Sequence, residues 1–369
     1  MKILIFDNSG LISKDNDFCV ETNTGKFAKE LKELGNDVTF FGQKIEPTQN
    51  SVHDFQVLKN GMFVLGRKRS GNKIINYLLL YLKSIPAIYN AEFVYIFYPN
   101  AFKYTAFVAY ILRVKYGLYI RGMEGLDDRS SHWIYKLSST VFTVSGKFTS
   151  YINDIVRRNI SSTIRPMIPF TENDIIDSRT YYSKPKYNIM YLGRTSNDKG
   201  LIELLYATSN LRKVRSDFFL TIVGIGEYIE ELRSLSDKLG INDLVTFIGG
   251  VYDVGEIKKF YTNADLFVLP SYHEGFPRTL YEAMIFGTPI LTTFVGGIAE
   301  HMKNGFNCIE LEVKSIDSLF DSLNLAMNDY EQMGILALNA TNTVRNILSS
   351  RKLSHARALY NEVVEVRTE

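Results

Sequence analysis

The feature that most limits how this chain can fold is an alternation of short apolar runs with longer, helix-patterned stretches. In the second half the runs are Asn188 to Leu192, Phe218 to Val223, Leu244 to Ile248, Leu266 to Leu269 and Pro289 to Thr292. Such runs, apolar nearly throughout and ended by Gly, Pro or polar residues, are the pattern of strands buried on both faces of a parallel sheet. Helices are expected between and after them, near 199–214, 227–239, 254–262, 277–286, 314–328 and 331–347. The first half repeats the scheme with strands at Lys2 to Asp7, Val38 to Gly42, Phe93 to Tyr98, Leu118 to Arg121 and Thr140 to Val144. Its helices are read at Asn23 to Leu34, Phe102 to Lys115 and Lys147 to Arg158. Residues 159–186 break the period with Asn159, Ser161, Ser162, Thr163, Pro166, Pro169 and Pro185, which marks an inter-domain connection. The class is therefore α/β, with two Rossmann-like βαβ domains over 1–165 and 187–349 that face a cleft. At 369 residues the chain is long enough for two cores. A last amphipathic helix is expected from Leu353 to Val366, within a terminal segment of about 350–369.

Ligands of open α/β sheets sit beyond the carboxyl ends of the strands, so the strand-to-helix loops are where chemistry is sought. Residues 264–300, ADLFVLPSYHEGFPRTLYEAMIFGTPILTTFVGGIAE, hold the most informative of them. Glu274 lies on the loop, and a helix runs from about Pro277 to Phe286, stopped by Gly287 and Pro289. The backbone N–H groups of Gly275, Phe276, Arg278 and Thr279 sit at or just before that helix start, a place that favours an anion. Glu282 lies inside the helix. A carboxylate accepts two hydroxyl hydrogen bonds, as a ribose or a sugar ring requires. A βα turn with one solvated and one helix-face glutamate fits the same spacing. A second loop sets Gly193-Arg194 at a strand end and Lys199-Gly200 at the next helix start, with Thr-Ser-Asn-Asp between. These cations are either surface charges or an anion clamp. Gly224 and Gly226, after another strand, read as a tight turn.

Taken whole, the phrase resembles the donor-binding motif of the retaining glycosyltransferases of the GT-B fold, the large GT4-like family. The residues that carry the likeness are Glu274, Gly275-Phe276-Pro277, Glu282-Ala283-Met284, Gly287-Thr288-Pro289, Gly296-Gly297 and Glu300. Gly193-Arg194 with Lys199-Gly200 is similar to the same family's diphosphate-binding motif. The resemblance implies that Arg194 and Lys199 hold the donor diphosphate, Glu282 the ribose hydroxyls and Glu274 the donor sugar. It implies that Gly249, in Thr246-Phe247-Ile248-Gly249-Gly250, lies where the backbone meets the base. It also places Gly25, in Asn23-Thr24-Gly25, near the donor phosphate, although many members have two adjacent glycines there. Arg121 stands where the family often has a His, and either contacts a phosphate or an acceptor carboxylate or forms a structural ion pair. Fixed cations aimed at the β-phosphate stabilise the charge that develops there as the sugar departs. With two of them no metal is required and no cofactor is expected beyond the nucleotide-diphosphate sugar, a UDP-sugar in the first instance. The resemblance covers 187–328 closely and the first domain in architecture alone. It implies that the terminal helix crosses back onto that acceptor-side domain.

Composition narrows the partners. The histidines show no metal-ligand spacing, and Asp15-Asn16-Asp17 reads as a polar loop rather than a metal site. Two distant cysteines, Cys19 and Cys308, define no disulfide framework, so a reducing, cytoplasmic location is expected. Asp7 interrupts the first apolar run too early for a signal-peptide core, and the longest apolar runs fall short of a membrane span. Residues 1–165 carry 22 Lys and Arg against 14 Asp and Glu, and 59–121 carry ten cations against the single acid Glu92. The many aromatics of 59–121 are read either as core with a solvated basic face or as a peripheral contact for an anionic membrane surface. No nucleic-acid motif accompanies them.

The expected activity is transfer of a sugar from a nucleotide-diphosphate sugar to a glycan or lipid-linked acceptor in bacterial cell-surface polysaccharide or lipopolysaccharide synthesis. Two alternatives stay open: a nucleotide-sugar epimerase on a similar fold, and a non-catalytic partner subunit that binds a nucleotide or a glycan.

Overall fold

The computed structural model describes every residue except 8, 15, 47–52, 69–71, 99–101, 123–125, 166, 276, 351–352 and 369. It divides into two compact units, Met1–Met167 with Arg351–Glu369, and Ile168–Ser350.

The first unit holds strands β1 (Lys2–Phe6), β2 (Leu11–Lys14), β3 (Asp17–Val20), β4 (Asp37–Ile45), β5 (Phe55–Gln56), β6 (Phe63–Lys68), β7 (Phe93–Tyr98), β8 (Lys115–Ile120), β9 (Thr140–Thr143) and β10 (Ser161–Thr163). Its helices are α1 (Thr22–Glu33), α2 (Lys73–Tyr89), α3 (Thr105–Ile111), α4 (Arg129–Leu137) and α5 (Gly146–Val156). A parallel sheet runs β6-β4-β1-β7-β8-β9-β10. Side chains of a strand alternate between faces, so β1 feeds two cores. Ile3 and Ile5 pack with Phe27 of α1 and Tyr95, whereas Leu4 and Phe6 pack on the other face with Leu80 and Ile88 of α2 and Ala106 of α3.

The second unit holds β11 (Tyr187–Leu192), β12 (Phe218–Val223), β13 (Val245–Gly249), β14 (Leu266–Leu269), β15 (Ile290–Thr293) and β16 (Ile309–Leu311). Its helices are α6 (Leu201–Arg212), α7 (Ile229–Lys238), α8 (Val254–Asn263), α9 (Arg278–Ile285), α10 (Ile316–Asn328) and α11 (Tyr330–Ser350). All its strands are parallel, in the order β13-β12-β11-β14-β15-β16. The order reverses between β11 and β14. Helices leave those two strands toward opposite faces, and the crevice this opens at their carboxyl ends is where doubly wound sheets bind ligands. The last helix, α12 (His355–Thr368), belongs to the first unit, where Ala356, Leu359 and Val363 are buried in the core that contains Ile3 and Ile5.

Several elements differ from expectation. The opening segment read as a loop over 8–25 contains the antiparallel hairpin β2–β3. The Asp17 carboxylate accepts the amides of Leu58 at 2.7 Å and Lys59 at 2.9 Å, which anchors that hairpin; Asp15 lies outside the described residues. The helix expected over Phe102 to Lys115 is α3 alone. Arg113 turns to φ 57° after it, which ends the helix and frees Lys115 to start β8. Within the connection expected at 159–186, β10 joins the first sheet and residues from Ile168 onward join the second unit. Phe170 is buried in the second core, with Ile168, Ile175 and Ile176 packed against it, and Arg179 fastens the segment further. Its guanidinium donates to the carbonyls of Tyr261, Ala264 and Phe286, and so caps the C-terminal ends of α8 and α9.

Candidate active site

The site is built at the reversal between β11 and β14. Gly193 follows β11, and its N–H bonds the Val223 carbonyl at 3.0 Å. The buried Tyr191 hydroxyl donates to the Arg194 carbonyl at 2.6 Å and fixes the next peptide. A short 3-10 turn, Asn197–Lys199, follows. Gly200 leaves it at φ 66°, its Cα pressed against the Pro270 carbonyl, so no side chain fits there. This close approach joins the β11 loop to the β14 loop, and the Tyr272 amide adds a bond to the Asp198 carbonyl at 2.8 Å.

The two loops meet through charge. Lys199 is buried, and its Nζ lies 2.7 Å from Glu274 Oε1 and 3.2 Å from Asp198 Oδ2. It also donates to the His273 carbonyl at 3.4 Å. Glu274 Oε1 accepts a second bond, at 2.9 Å, from the hydroxyl of the buried Ser271. A charge held this far from water is tolerable because it is paired and hydrogen-bonded. Oε2 of Glu274 enters no hydrogen bond among the described residues. Arg194 is exposed on the same loop and makes no ion pair among the described residues.

The loop after β15 closes on Glu274 from another side. Gly296, at φ 61°, stacks on the Glu274 carbonyl where a Cβ would collide, and the Gly297 amide bonds the Gly275 carbonyl at 2.6 Å. Gly224, after β12, lies as tightly on the Gly193 carbonyl, and its N–H bonds the Gly249 carbonyl at 2.8 Å. Gly249 itself sits at φ 89° at the end of β13.

α9 starts at Arg278, with Pro277 extended before it (ψ 134°), so the proline precedes the first helical residue. Arg278 and Thr279 occupy the first turn, and Phe276 lies outside the described residues. Glu282 points into the protein. Its Oε2 accepts the Tyr261 hydroxyl at 2.9 Å, and burial pushes its carboxyl up to about 7, against the opposing pull of Arg278 and of the Tyr261 bond. Tyr261 is buried on α8 and also donates to the Thr279 carbonyl at 3.2 Å.

In the first unit, Arg121 follows β8 at the carboxyl edge of that sheet. Its guanidinium lies over the rings of Phe97 and Tyr119, at 4.7 and 5.4 Å, and its Nη2 is 3.8 Å from Oδ1 of the buried Asp7. Of the roles left open for Arg121, the ion pair is present. Gly25, expected near the donor phosphate, lies at a helix start. It sits in the first turn of α1, its N–H bonds the Glu21 carbonyl at 2.9 Å, and the Phe55 ring covers its Cα. The packed Phe55 ring leaves no room for a side chain there. Among the described residues no group of His, Cys, Asp and Glu is arranged to hold a metal ion.

Spacing reasoning missed Ser271, Asp198, Tyr191 and Tyr261. Ser271 and Asp198 sit beside residues that were singled out, so their nearness to the loops was a usable signal. Tyr261 precedes Glu282 by 21 residues on another helix, and no spacing rule links them.

Residues 174–343 match the family model described as glycosyl transferases group 1. A glycosyltransferase of Haemophilus influenzae, described as uncharacterized, is 37% identical over 155 residues, 39% of this chain and 43% of its own length. The lipopolysaccharide 1,2-N-acetylglucosaminetransferase of Salmonella typhimurium is 32% identical over 155 residues, 39% of this chain and 40% of its own length. The chain thus spans less than half the length of these relatives. In overall fold it is similar to Anabaena HepE crystallised with UDP-glucose, with a TM-score of 0.73 at 17% identity over 100% of both chains. The sucrose-phosphate synthase of Thermosynechococcus elongatus gives 0.71 at 16% identity, over 99% of both chains. These likenesses carry the fold alone: two Rossmann-like domains of the GT-B type. The sequence match falls on the unit that carries Lys199, Glu274 and Glu282, and that unit belongs to the glycosyl transferases group 1 family.

Proposed function

We propose that this chain is a retaining glycosyltransferase that moves a sugar from a UDP-sugar to a glycan or lipid-linked acceptor of a bacterial cell-surface polysaccharide or lipopolysaccharide. The observation that carries the reading is the buried Lys199–Glu274 pair at the reversal of strand order, 2.7 Å apart, with Arg194 exposed beside it. Lys199 and Arg194 take the diphosphate. They stabilise the β-phosphate most when the bond from it to the sugar breaks, because that is when its charge grows. Glu274, tethered through Oε1, offers Oε2 to a hydroxyl of the donor sugar. Glu282 accepts the ribose hydroxyls, and the first turn of α9, with Arg278 and Thr279, faces the phosphates. In the transfer the C1–O bond to the phosphate breaks, and the acceptor oxygen bonds C1 on the same face. The acceptor's proton passes to the departing phosphate oxygen. On this scheme no separate base and no divalent cation are needed, and the two glutamates are donor ligands rather than a glycosidase pair. The reaction is placed on the cytoplasmic face of the membrane.

The test is a thermal-shift series with UDP, GDP, ADP and CMP, each with and without EDTA. A ligand that binds the folded state alone raises stability as its concentration exceeds its Kd. The expected result is a UDP-selective shift of the native chain, unchanged by EDTA and lost in Arg194→Ala, followed by transfer activity that Glu274→Ala abolishes. No shift with any nucleotide would move a non-catalytic subunit to the front. Conversion of the donor sugar without an acceptor would instead favour an epimerase.

A further inference from the structure

Helix α2 is turned inside out. Its exposed positions include Ile74 (80% exposed), Ile75, Leu78, Leu82, Ile85 and Tyr89 (73%). At about 100° per residue these fall within one arc of about 100° on the helix. The opposite arc, Asn76, Leu80, Ser84 and Ile88, is the buried one, and half of it is polar. A surface helix of a globular protein ordinarily buries its more apolar face. The apolar surface extends onto α3, which packs beside α2 and exposes Tyr104, Tyr110 and Ile111. Beside Leu82 an open groove of about 970 Å³ lies between α2 and strands β4 and β6. Phe41, Phe63, Leu65 and Pro86 line it, with Lys2, Arg67 and Lys83 outnumbering Asp37.

We propose that this face docks on an anionic lipid bilayer, with α2 lying in the interface plane and its Ile and Leu stripe among the acyl chains. The proposal deepens the reading above, in which the acceptor is a glycan or a lipid-linked glycan, by naming the surface that meets the lipid. Charge selects the partner. Lys83 and Arg113 are exposed at the margins of the face. Glu92 is the single acid of residues 59–121, and its carboxylate is taken up by the Lys2 amide at 2.7 Å. A second copy of the chain is disfavoured, because a twofold contact would set these cations against their own kind. Among the described residues no helix is long and apolar enough to cross a membrane. An apolar stripe flanked by cations and tyrosines is the arrangement of a helix that lies on one.

The experiment is flotation of the purified chain with phosphatidylcholine vesicles and with vesicles that carry one quarter phosphatidylglycerol, at low and high salt and without nucleotide. The native chain is expected to float with the anionic vesicles at least tenfold more than with neutral ones, and less at high salt. Leu78→Asp with Leu82→Asp should abolish flotation, and Lys83→Glu should reduce it several-fold. Because these side chains are exposed, the variants should keep the native melting temperature and the native shift with UDP. Native protein that stays unbound to anionic vesicles overturns the proposal, as does flotation unchanged by the paired Asp variant. A dimer that this variant dissociates would assign the face to a second copy instead. Loss of donor binding in every form, with flotation intact, would overturn the transferase reading and leave the docking surface standing.

Discussion

A carboxyl enclosed as tightly as that of Glu282 is expensive to ionise, and the cost shows in how the protein responds to pH. Burial raises it to about 7 from the ordinary 4.5. A carboxyl raised on folding contributes stability that is full below pH 4.5 and is lost as pH climbs through 7. The loss amounts to on the order of 3 kcal/mol by pH 8. Urea unfolding at pH 5 and pH 8 measures it, and Glu282→Gln should remove most of the difference. Donor binding should run the other way. Ribose hydroxyls donate to the ionised form, so UDP affinity is expected to fall about tenfold for each pH unit below 7. Tyr261 decides where that fall begins. Its hydroxyl supports the carboxylate at 2.9 Å, and Tyr261→Phe removes a bond to a charged group worth about 1.5–3 kcal/mol. The midpoint of UDP binding against pH should then move up by about one to two units. A residue that merely fills space would lower affinity equally at every pH, and calorimetric titration from pH 6 to 9 separates the two.

At the scale of elements, a buried histidine joins Ala356, Leu359 and Val363 in holding α12. His355 is buried, with rings of Phe27 and Tyr119 4.4 Å from its own, Nε2 2.5 Å from the Tyr95 hydroxyl and Nδ1 3.2 Å from Met167 Sδ. Burial, with the Arg121 charge, drives its pKa well below 6.5, so it is neutral in the fold. Stability is complete above pH 6.5 and is lost as pH falls below it, by about 1.4 kcal/mol per unit, because the unfolded chain takes up the proton. His355→Phe keeps the ring stacking and leaves Tyr95 unpaired. It should lower stability at pH 7.5 by about 1–2 kcal/mol while flattening the slope between pH 6.5 and 5, as thermal scans would record. Elements of this kind differ in how plainly they can be read beforehand. β7, β12 and β14 were legible because every residue in them is apolar or buried. The loop motif made Glu274 and Lys199 legible. β2 and β3 were not, since Leu11–Lys14 and Asp17–Val20 are short and part polar, and the Asp17 carboxylate that anchors them binds amides far along the chain. At Gly25 the motif could not show that the Phe55 ring packs where a side chain would stand. Helix α2 was not expected at all: residues 59–121 read as basic and aromatic, whereas its exposed face is aliphatic apart from Tyr89. Its direction depends on which side of the helix meets β1 and β7, which local periodicity does not contain.

Across the whole molecule these local effects divide between two units of different chain construction. The second unit is one continuous segment, Ile168–Ser350, with its own core. The first is completed by a segment that returns after the second, and Leu359 and Val363 of α12 are at most 2% exposed in its core. Two fully buried aliphatic side chains contribute roughly 1.5–3 kcal/mol each. With the His355 contacts, their loss takes away a large share of the 5–15 kcal/mol that typically separates a folded domain from its unfolded state. Ending the chain at Ser350 should therefore unfold or strongly destabilise the first unit and leave the second folded. Calorimetry of the native chain is expected to show two transitions, of which UDP raises one. Truncation should lower or erase the other and spare the UDP-responsive one. Between pH 7 and pH 5 the two should also move in opposite directions, since acid stabilises the unit that buries Glu282 and weakens the unit that buries His355. A single transition displaced as a whole by UDP, by acid and by truncation alike would show that the units unfold as one, and would remove the basis for assigning these effects to separate cores.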